Sequence, residues 1–408
     1  MTVSTKDDQP AESGGMHTPV LSASEHTAMC DYRLTRFRAE MTAADVDLAV
    51  LSNPLSTRYV TDVWQFPVFQ ARLPVHYIVV PIEGPIVNFG GFLNNGSHII
   101  AETRPGRDTS VFLGGFAIAD HVAALVQDVL DFAREISVTP KRVSVENMSP
   151  HVALAFADAG CSVIDGQYLI DRATLIKSAE EIKCMRRAVA IVKQAMHELV
   201  DTLRPGLSER EVWGDLIGRC IANGAEWFDS HQLVSGPRTN PPGQEAEHRL
   251  IEDGDLVAYD TDMIGPFGYC ADVSRTHHCG PSKPTAEQRD LYKRAHAQLL
   301  HDRELLRPST SFRDISERGY RVGDGYQQFA CIAHGLGMGD EYPFIRVADH
   351  PQGLAYDGEI EPGMVMCVEA YAGRVGGCQG VKLEDQLLIT DDGYEVLSHF
   401  PFEDELLV

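Results

Sequence analysis

The sequence lacks any run of about eighteen apolar residues, which excludes a helical span of a bilayer. It also lacks an excess of basic residues. Lys and Arg number 35 against 59 Asp and Glu, giving a formal net charge of −24, and that balance opposes nucleic acid and anionic membranes as partners. Such a charge favours a cationic substrate by long-range attraction, but salt screens that attraction and plain solubility explains the charge as well. No CxxC pair occurs among the nine cysteines, and an odd, scattered set suits free thiols in a reducing cytoplasm rather than a disulfide framework. The opening stretch "MTVSTKDDQPAESGGMHTPVLSASEH" has neither the charged start nor the apolar centre of a secretion signal. It reads as a mobile tail over residues 1–25. Short repeats and long low-complexity tracts are missing from the remainder.

What is present is enough for two substantial cores. The chain has 408 residues, 44% apolar and 23% charged, ordinary values for a soluble globular protein of two domains. From residue 26 to about 175, helical and strand patterns alternate. Residues 30–41 read as a helix, "VDLAVLSN" as a strand, "HYIVVPIEGPIVNF" as two strands about a turn, "ADHVAALVQDVLDFAREI" as a helix and "RVSVEN" as a strand. This pattern predicts a three-layer α/β domain. A second unit, 176–408, begins where Ser178 and Glu181 form a capping box ahead of an apolar stripe. Pro205-Gly206 ends that helix, and Ser208 caps another. A further helix begins at "TAEQRDLY" and runs toward Pro308.

Between the helices lies "LVAYDTDMIGPFGYCADVSRT", residues 256–276, with Asp260, Asp262 and Asp272 in runs that read as buried strands. Burying an unpaired carboxylate is costly. On a strand, side chains two apart share a face, so Asp260 and Asp262 are expected to point the same way. A return strand after Gly265-Pro266 brings Asp272 opposite them. Three converging carboxylates call for a cation, and a cation calls for further ligands. The candidates are His334 in "CIAHGLG", Glu369 closing "MVMCVE" and Glu384 within "VKLEDQLLIT". Such an oxygen-rich set with one imidazole suits iron, manganese, zinc or cobalt.

With "GYCADVSRT", "HGLG", "EPGMVMCVEA" and "KLEDQLLIT" in this order, the sequence resembles the pita-bread metallopeptidase superfamily, which includes creatinase, prolidase and the Xaa-Pro and methionine aminopeptidases. The resemblance runs from about residue 35 to the C-terminus. It implies an α/β (α+β) architecture, with a creatinase-like N-terminal domain followed by a pita-bread catalytic domain. It also implies two divalent metals per subunit and a homodimer in which one N-terminal domain borders the partner's active site. Three departures stand out. Asp262 is ten residues before Asp272 rather than eleven, and Asp260 is an additional candidate ligand. Asp340 stands where the peptidases carry a second histidine after the His-Gly motif. Gly243, in "SGPRTNPPGQE", stands about where they carry a third. Losing two groups that serve the peptidase transition state while keeping the metal ligands points to different chemistry at the same metals.

"DTDMIG", "SGPRTNP", "DEYP" and "KLEDQLLIT" are most similar to one branch, the metal-dependent dimethylsulfoniopropionate lyases of the DddP type. That resemblance implies β-elimination to dimethyl sulfide and acrylate, with the substrate carboxylate on the metal and Asp340 as the base. The substrate is then a small zwitterionic or cationic carboxylate. Its cationic end needs an aromatic or anionic wall, for which Trp64, Phe66 and Phe69 are candidates, and Arg238 is a candidate for the carboxylate. Two positions depart from the branch. Phe329 stands five residues before His334 where a tyrosine is expected, and Phe69 stands where a tryptophan is expected. Phenylalanine cannot donate a hydrogen bond. The alternatives are therefore a lyase-like enzyme for another small zwitterion, or a metallohydrolase of the Xaa-Pro dipeptidase kind.

Overall fold

The computed structural model of the chain describes residues 18–64, 67–91 and 96–408. Most of the expected tail, and Phe66, lie outside the described residues. The first half runs α1 (Ala23–Ala43), β1 (Leu48–Leu51), α2 (Pro54–Thr61), α3 (Pro67–Arg72), β2 (His76–Pro81), β3 (Ile86–Gly90), β4 (Ile100–Arg104), α4 (Val111–Gly114), α5 (Ile118–Glu135), β5 (Arg142–Glu146), α6 (Pro150–Asp158), β6 (Ser162–Asp165) and α7 (Gln167–Ala173). α1 starts seven residues before the helix that the apolar pattern marks, because Ser22 and Glu25 form a capping box there.

The strands of this half make one six-stranded sheet in the order β4-β3-β2-β1-β5-β6, parallel from β1 through β5 to β6. Its two faces follow from strand alternation. Leu48 and Val50 pack with Val122, Val129 and Phe132 of α5. Ala49 and Leu51 pack with Met29, Phe37 and Met41 of α1. Helices cover both faces, as the alternating sequence predicts. At the end of β5, Glu146 is buried, with Oε1 accepting from the Ser56 hydroxyl at 2.5 Å. Burial pushes its carboxyl up to about 7.

The second half runs α8 (Ala179–Thr202), α9 (Glu209–Ala222), β7 (Trp227–Phe228), β8 (Leu233–Ser235), β9 (Leu256–Asp260), β10 (Met263–Ile264), β11 (Cys270–Ala271), β12 (Ser274–His278), α10 (Ala286–Arg303), α11 (Phe312–Arg318), β13 (Tyr326–Gln327), β14 (Cys331–Leu336), β15 (Asp340–Arg346), β16 (Val365–Arg374), β17 (Gly380–Ile389), β18 (Tyr394–Val396) and α12 (Asp404–Leu407). The capping boxes of α8 (Ser178, Glu181) and α9 (Ser208, Glu211) are both formed.

The large sheet runs β15-β14-β16-β17-β18, and β13 pairs with β16. Alternation again assigns its faces. Met366, Val368, Ala370 and Ala372 of β16 and Val381, Leu383 and Leu387 of β17 join Leu291, Tyr292, Ala295 and Leu299 of α10 in one buried cluster. The residues between them, Cys367, Glu369 and Tyr371 on β16 and Lys382, Glu384 and Gln386 on β17, belong to the opposite face. They pair across the strands as Cys367–Gln386, Glu369–Glu384 and Tyr371–Lys382.

The turn of the aspartate segment rests on α8. A Cβ on Gly265 would lie 2.6 Å from the Ala188 Cβ, so this approach requires glycine. A buried polar network ties the same segment to α1. Arg33 Nε donates to the Tyr269 hydroxyl at 3.0 Å, and Tyr269 donates to Glu181 of the α8 capping box.

Candidate metal centre

β9 ends at Asp260, and the chain then leaves the strand. Asp262 has φ of 35°, a left-handed conformation that aspartate tolerates better than most residues. β10 then belongs to a different three-stranded sheet. Strand alternation, the expected reason for Asp260 and Asp262 to share a face, therefore does not apply. The kink at Asp262 brings them together instead. One ligand atom from each of Asp260, Asp262 and Asp272 lies within 4.8 Å of the others. Asp262 Oδ2 accepts from the Ser230 hydroxyl and from Gln232 Nε2, the latter at 3.3 Å.

His334 on β14 enters from the large sheet. Its Nε2 lies 3.8 Å from Asp272 Oδ2, 3.7 Å from Glu369 Oε1 and 3.6 Å from Glu384 Oε1. These separations exceed those of hydrogen bonds. They suit atoms that share an ion lying about 2.1 Å from each. Asp272 Oδ1 and Glu384 Oε1 are buried without a hydrogen-bond partner, which is costly unless a cation takes them. Cys367 Sγ also lies within 4.8 Å of donor atoms of Asp272, His334 and Glu384. The two donor groups, Asp260-Asp262-Asp272 and Asp272-His334-Cys367-Glu384, share Asp272. These residues fit a divalent metal.

The acid–base balance shows the same demand for positive charge. Burial, reinforced by the charge of Asp260, pushes the Asp262 carboxyl up to about 7. Burial with the charge of Glu384 pushes Asp272 well above the carboxylate range. Burial disfavours the charged form of His334, but Glu369 and Glu384 hold its pKa well up. Glu384 is lowered to about 2, because Lys382 and His334 outweigh its burial and the charge of Glu369. Protons and a lysine thus supply in part what a divalent cation would supply in full.

That lysine was not among the expected site residues. Lys382 is buried, with Nζ 3.1 Å from Asp260 Oδ2 and 2.6 Å from both Glu369 Oε2 and Glu384 Oε2. It also donates to Ser274 Oγ at 2.7 Å. Ser274 in turn bonds Asp260 Oδ1 at 2.6 Å and Glu384 Oε2 at 2.8 Å. The sequence does hold a signal for Lys382. It precedes Glu384 by two positions in an apolar strand, so both share a face.

Asp340 begins β15, opposite Leu336. Its Oδ1 lies 3.5 Å from His334 Nδ1, and its side chain is 69% exposed. Nδ1 is the ring nitrogen away from Nε2, which faces Asp272, Glu369 and Glu384. Desolvation of Asp340 outweighs the pull of His334 and, with the charges of Glu384 and Glu369, pushes its carboxyl up. The neighbouring Glu341 turns away and pairs with Lys177 at 2.9 Å.

The described candidates for the substrate lie on separate segments of the chain. The Trp64 ring lies 4.4 Å from the Arg58 guanidinium, and Arg58 is itself paired with Glu226 at 2.6 Å. Phe69 is half-buried on α3. Arg238 pairs with the buried Glu209 and lies 3.3 Å from Glu247. Phe329 does stand beside the cluster, with the Lys382 Nζ 5.2 Å from its ring centre.

Residues 183–391 match metallopeptidase family M24. Over 405 residues the chain is 31% identical to dimethylsulfoniopropionate lyase DddP of Roseovarius nubinhibens, covering 97% of this chain and 91% of that protein. It is 29% identical over 404 residues to the protein of the same name from Roseobacter denitrificans, covering 96% and 90%. Among solved structures, the Xaa-Pro dipeptidase from Bacillus anthracis shares the fold. Its TM-score is 0.72 at 22% identity, with 92% of this chain and 99% of that one covered.

Proposed function

Since the chain belongs to metallopeptidase family M24, we propose that it is a metal-dependent lyase that converts dimethylsulfoniopropionate to dimethyl sulfide and acrylate. Near-full-length likeness to proteins named as that lyase supports this reading. The observation that carries it is Asp340. An open carboxylate, not an imidazole, stands beside His334, 3.5 Å from its Nδ1. The peptidases that the sequence resembles carry a second histidine there, and none occurs between His334 and Phe344.

Asp260, Asp262, Asp272, His334, Glu369 and Glu384 would hold the metal. Two overlapping donor groups support two ions per subunit. When bound, the metal would supply Lewis-acid polarisation of the substrate carboxylate, which acidifies the adjacent C–H bond. Asp340 in its ionised form removes that proton. The C–H electron pair becomes the new C=C bond, the C–S bond breaks, and dimethyl sulfide leaves with its electron pair. The 69% exposure of the Asp340 side chain gives the proton a route to solvent. The same reading includes a homodimer. It also divides the chain into an N-terminal domain over 26–175 and a catalytic domain over 176–408.

The test is headspace detection of dimethyl sulfide, with acrylate measured in parallel, from metal-loaded protein and its Asp340→Asn variant. Equal amounts of both products are expected from the wild type. A fall of at least about 100-fold is expected in the variant, within the range that a general base contributes, with metal content unchanged. Wild-type protein that carries metal yet cleaves only Xaa-Pro dipeptides would overturn the lyase.

A further inference from the structure

Three further metal-binding side chains, none of them in the centre described above, meet where α1 passes the end of α2. His26 and Cys30 are four positions apart on α1 and so share a face. Asp62 caps the C-terminal end of α2 in a left-handed conformation, with φ of 59°, a place that glycine or asparagine ordinarily takes. One donor atom of each lies within 4.8 Å of the other two.

A proton does not satisfy all three. Asp62 Oδ2 lies 2.7 Å from His26 Nε2, and Cys30 Sγ lies 3.7 Å from the same nitrogen. An imidazole nitrogen has one N–H or one lone pair, so when Nε2 serves the carboxylate it does not serve the thiol. The other carboxylate oxygen, Asp62 Oδ1, is buried with no hydrogen-bond partner, and the Arg33 guanidinium stays 3.5 Å from it. A cation meets these needs at once. Tetrahedral ligands at zinc distances place nitrogen and sulfur about 3.6 Å apart, close to the separation found here. Nitrogen and oxygen need about 3.3 Å, so the imidazole has to retreat by roughly 0.6 Å. The His26 side chain is 35% exposed, and that movement is open to it. Burial pushes the Cys30 thiol up to about 12, and a bound dication displaces that proton to solvent. A thiolate, a carboxylate and a dication then sum to zero charge, while the neighbouring Arg33 is balanced by Glu181 at 3.7 Å.

We propose that His26, Cys30 and Asp62 form a separate site for a zinc-class cation, with Nε2, Sγ and a carboxylate oxygen in three tetrahedral positions and water in the fourth. The sulfur and imidazole donors select against magnesium and calcium, which take oxygen ligands. The ion ties the N-terminal half of α1 to the end of α2. The same imidazole packs against Phe267, with ring centroids 5.2 Å apart, so the site borders the turn between Asp262 and Asp272. None of this depends on the lyase reading.

The test is a cobalt(II) titration of protein whose catalytic centre is already filled and from which loose metal has been removed. A thiolate bound to cobalt(II) gives a charge-transfer band in the near ultraviolet. Wild type should take up about one further equivalent with that band, and zinc should displace the cobalt and erase it. Cys30→Ser should lose the band. Asp62→Asn, which the left-handed turn tolerates, should keep the band at saturation and bind at least about tenfold more weakly, the lower end of what even an outer partner of a ligand costs. A band that persists in Cys30→Ser comes from Cys367 in the catalytic centre and overturns the site. Uptake without a band reports surface histidines and overturns it too, as does wild-type protein that takes up no further cobalt. Should Cys30→Ser fail to fold, Asp62→Asn decides, and an unchanged affinity there overturns the assignment.

Discussion

Three carboxylates meet at the Lys382 ammonium, and this residue marks where sequence reasoning stopped short. Acidic residues in apolar strands stand out because their burial is costly. A lysine two positions from one of them reads as its ordinary surface partner. The two-residue spacing puts it on the face of Glu384, and the pairing of Tyr371 with Lys382 beside Glu369 with Glu384 sets it next to the second glutamate as well. Glu146 was equally hidden at the end of an unremarkable strand. Its folded-state pKa is about 7 against an ordinary value of 4.5, so the protonated form is the one that folding favours. The stability it contributes is fully present below about pH 4.5 and is lost as pH rises through about 7. The shift corresponds to roughly 3 kcal/mol. In urea unfolding at pH 5 and pH 8, Glu146→Gln should gain about 2–3 kcal/mol on the wild type across that interval. Parallel pH profiles for the two proteins would show that Glu146 is not the group concerned.

At the scale of elements, apolar periodicity and capping chemistry made most of the fold legible. The boxes at Ser178 and Ser208 form as the sequence implies, and β16 and β17 fall on the runs that carry Glu369 and Glu384. Residues 256–276 bring three carboxylates within 4.8 Å of one another, but through strands of two different sheets rather than by the out-and-back pair that alternation predicts. The left-handed turn at Asp262 depends on contacts with Ser230 and Gln232, which local pattern does not encode. Arg238 illustrates the same limit, because its main partner, Glu209, is 29 positions away. The approach of the aspartate turn to α8 is testable. Gly265→Ala adds a methyl group 2.6 Å from Ala188, and overpacking of this kind costs about 1–3 kcal/mol. The displaced segment carries Asp262 and Asp272, so metal affinity should fall along with the melting temperature. An unaltered metal isotherm in Gly265→Ala would show that the turn does not position the aspartates.

At the scale of the whole molecule, β16 and β17 carry both the acid cluster and the core that packs on α10. An ion at about 100 times its dissociation constant stabilises the native state by about 2.7 kcal/mol, and its removal should leave the buried acids to protons and Lys382. Chelation should lower the melting temperature and raise amide exchange in β16, β17 and α10 together. A loss of protection confined to the loops would argue against that coupling. The reason for expecting it lies in the alternation along β16 and β17, where one residue faces the acid cluster and the next faces α10. Core and chemistry are therefore written in the same two strands, on interleaved letters. A substitution can change one set and spare the other. A single-residue insertion in β17 cannot, because it would turn Lys382 and Glu384 toward α10 and the leucines toward the cluster. Descendants of this chain are free to exchange the residues facing the metal, while the spacing between them is fixed by the helix on the other side.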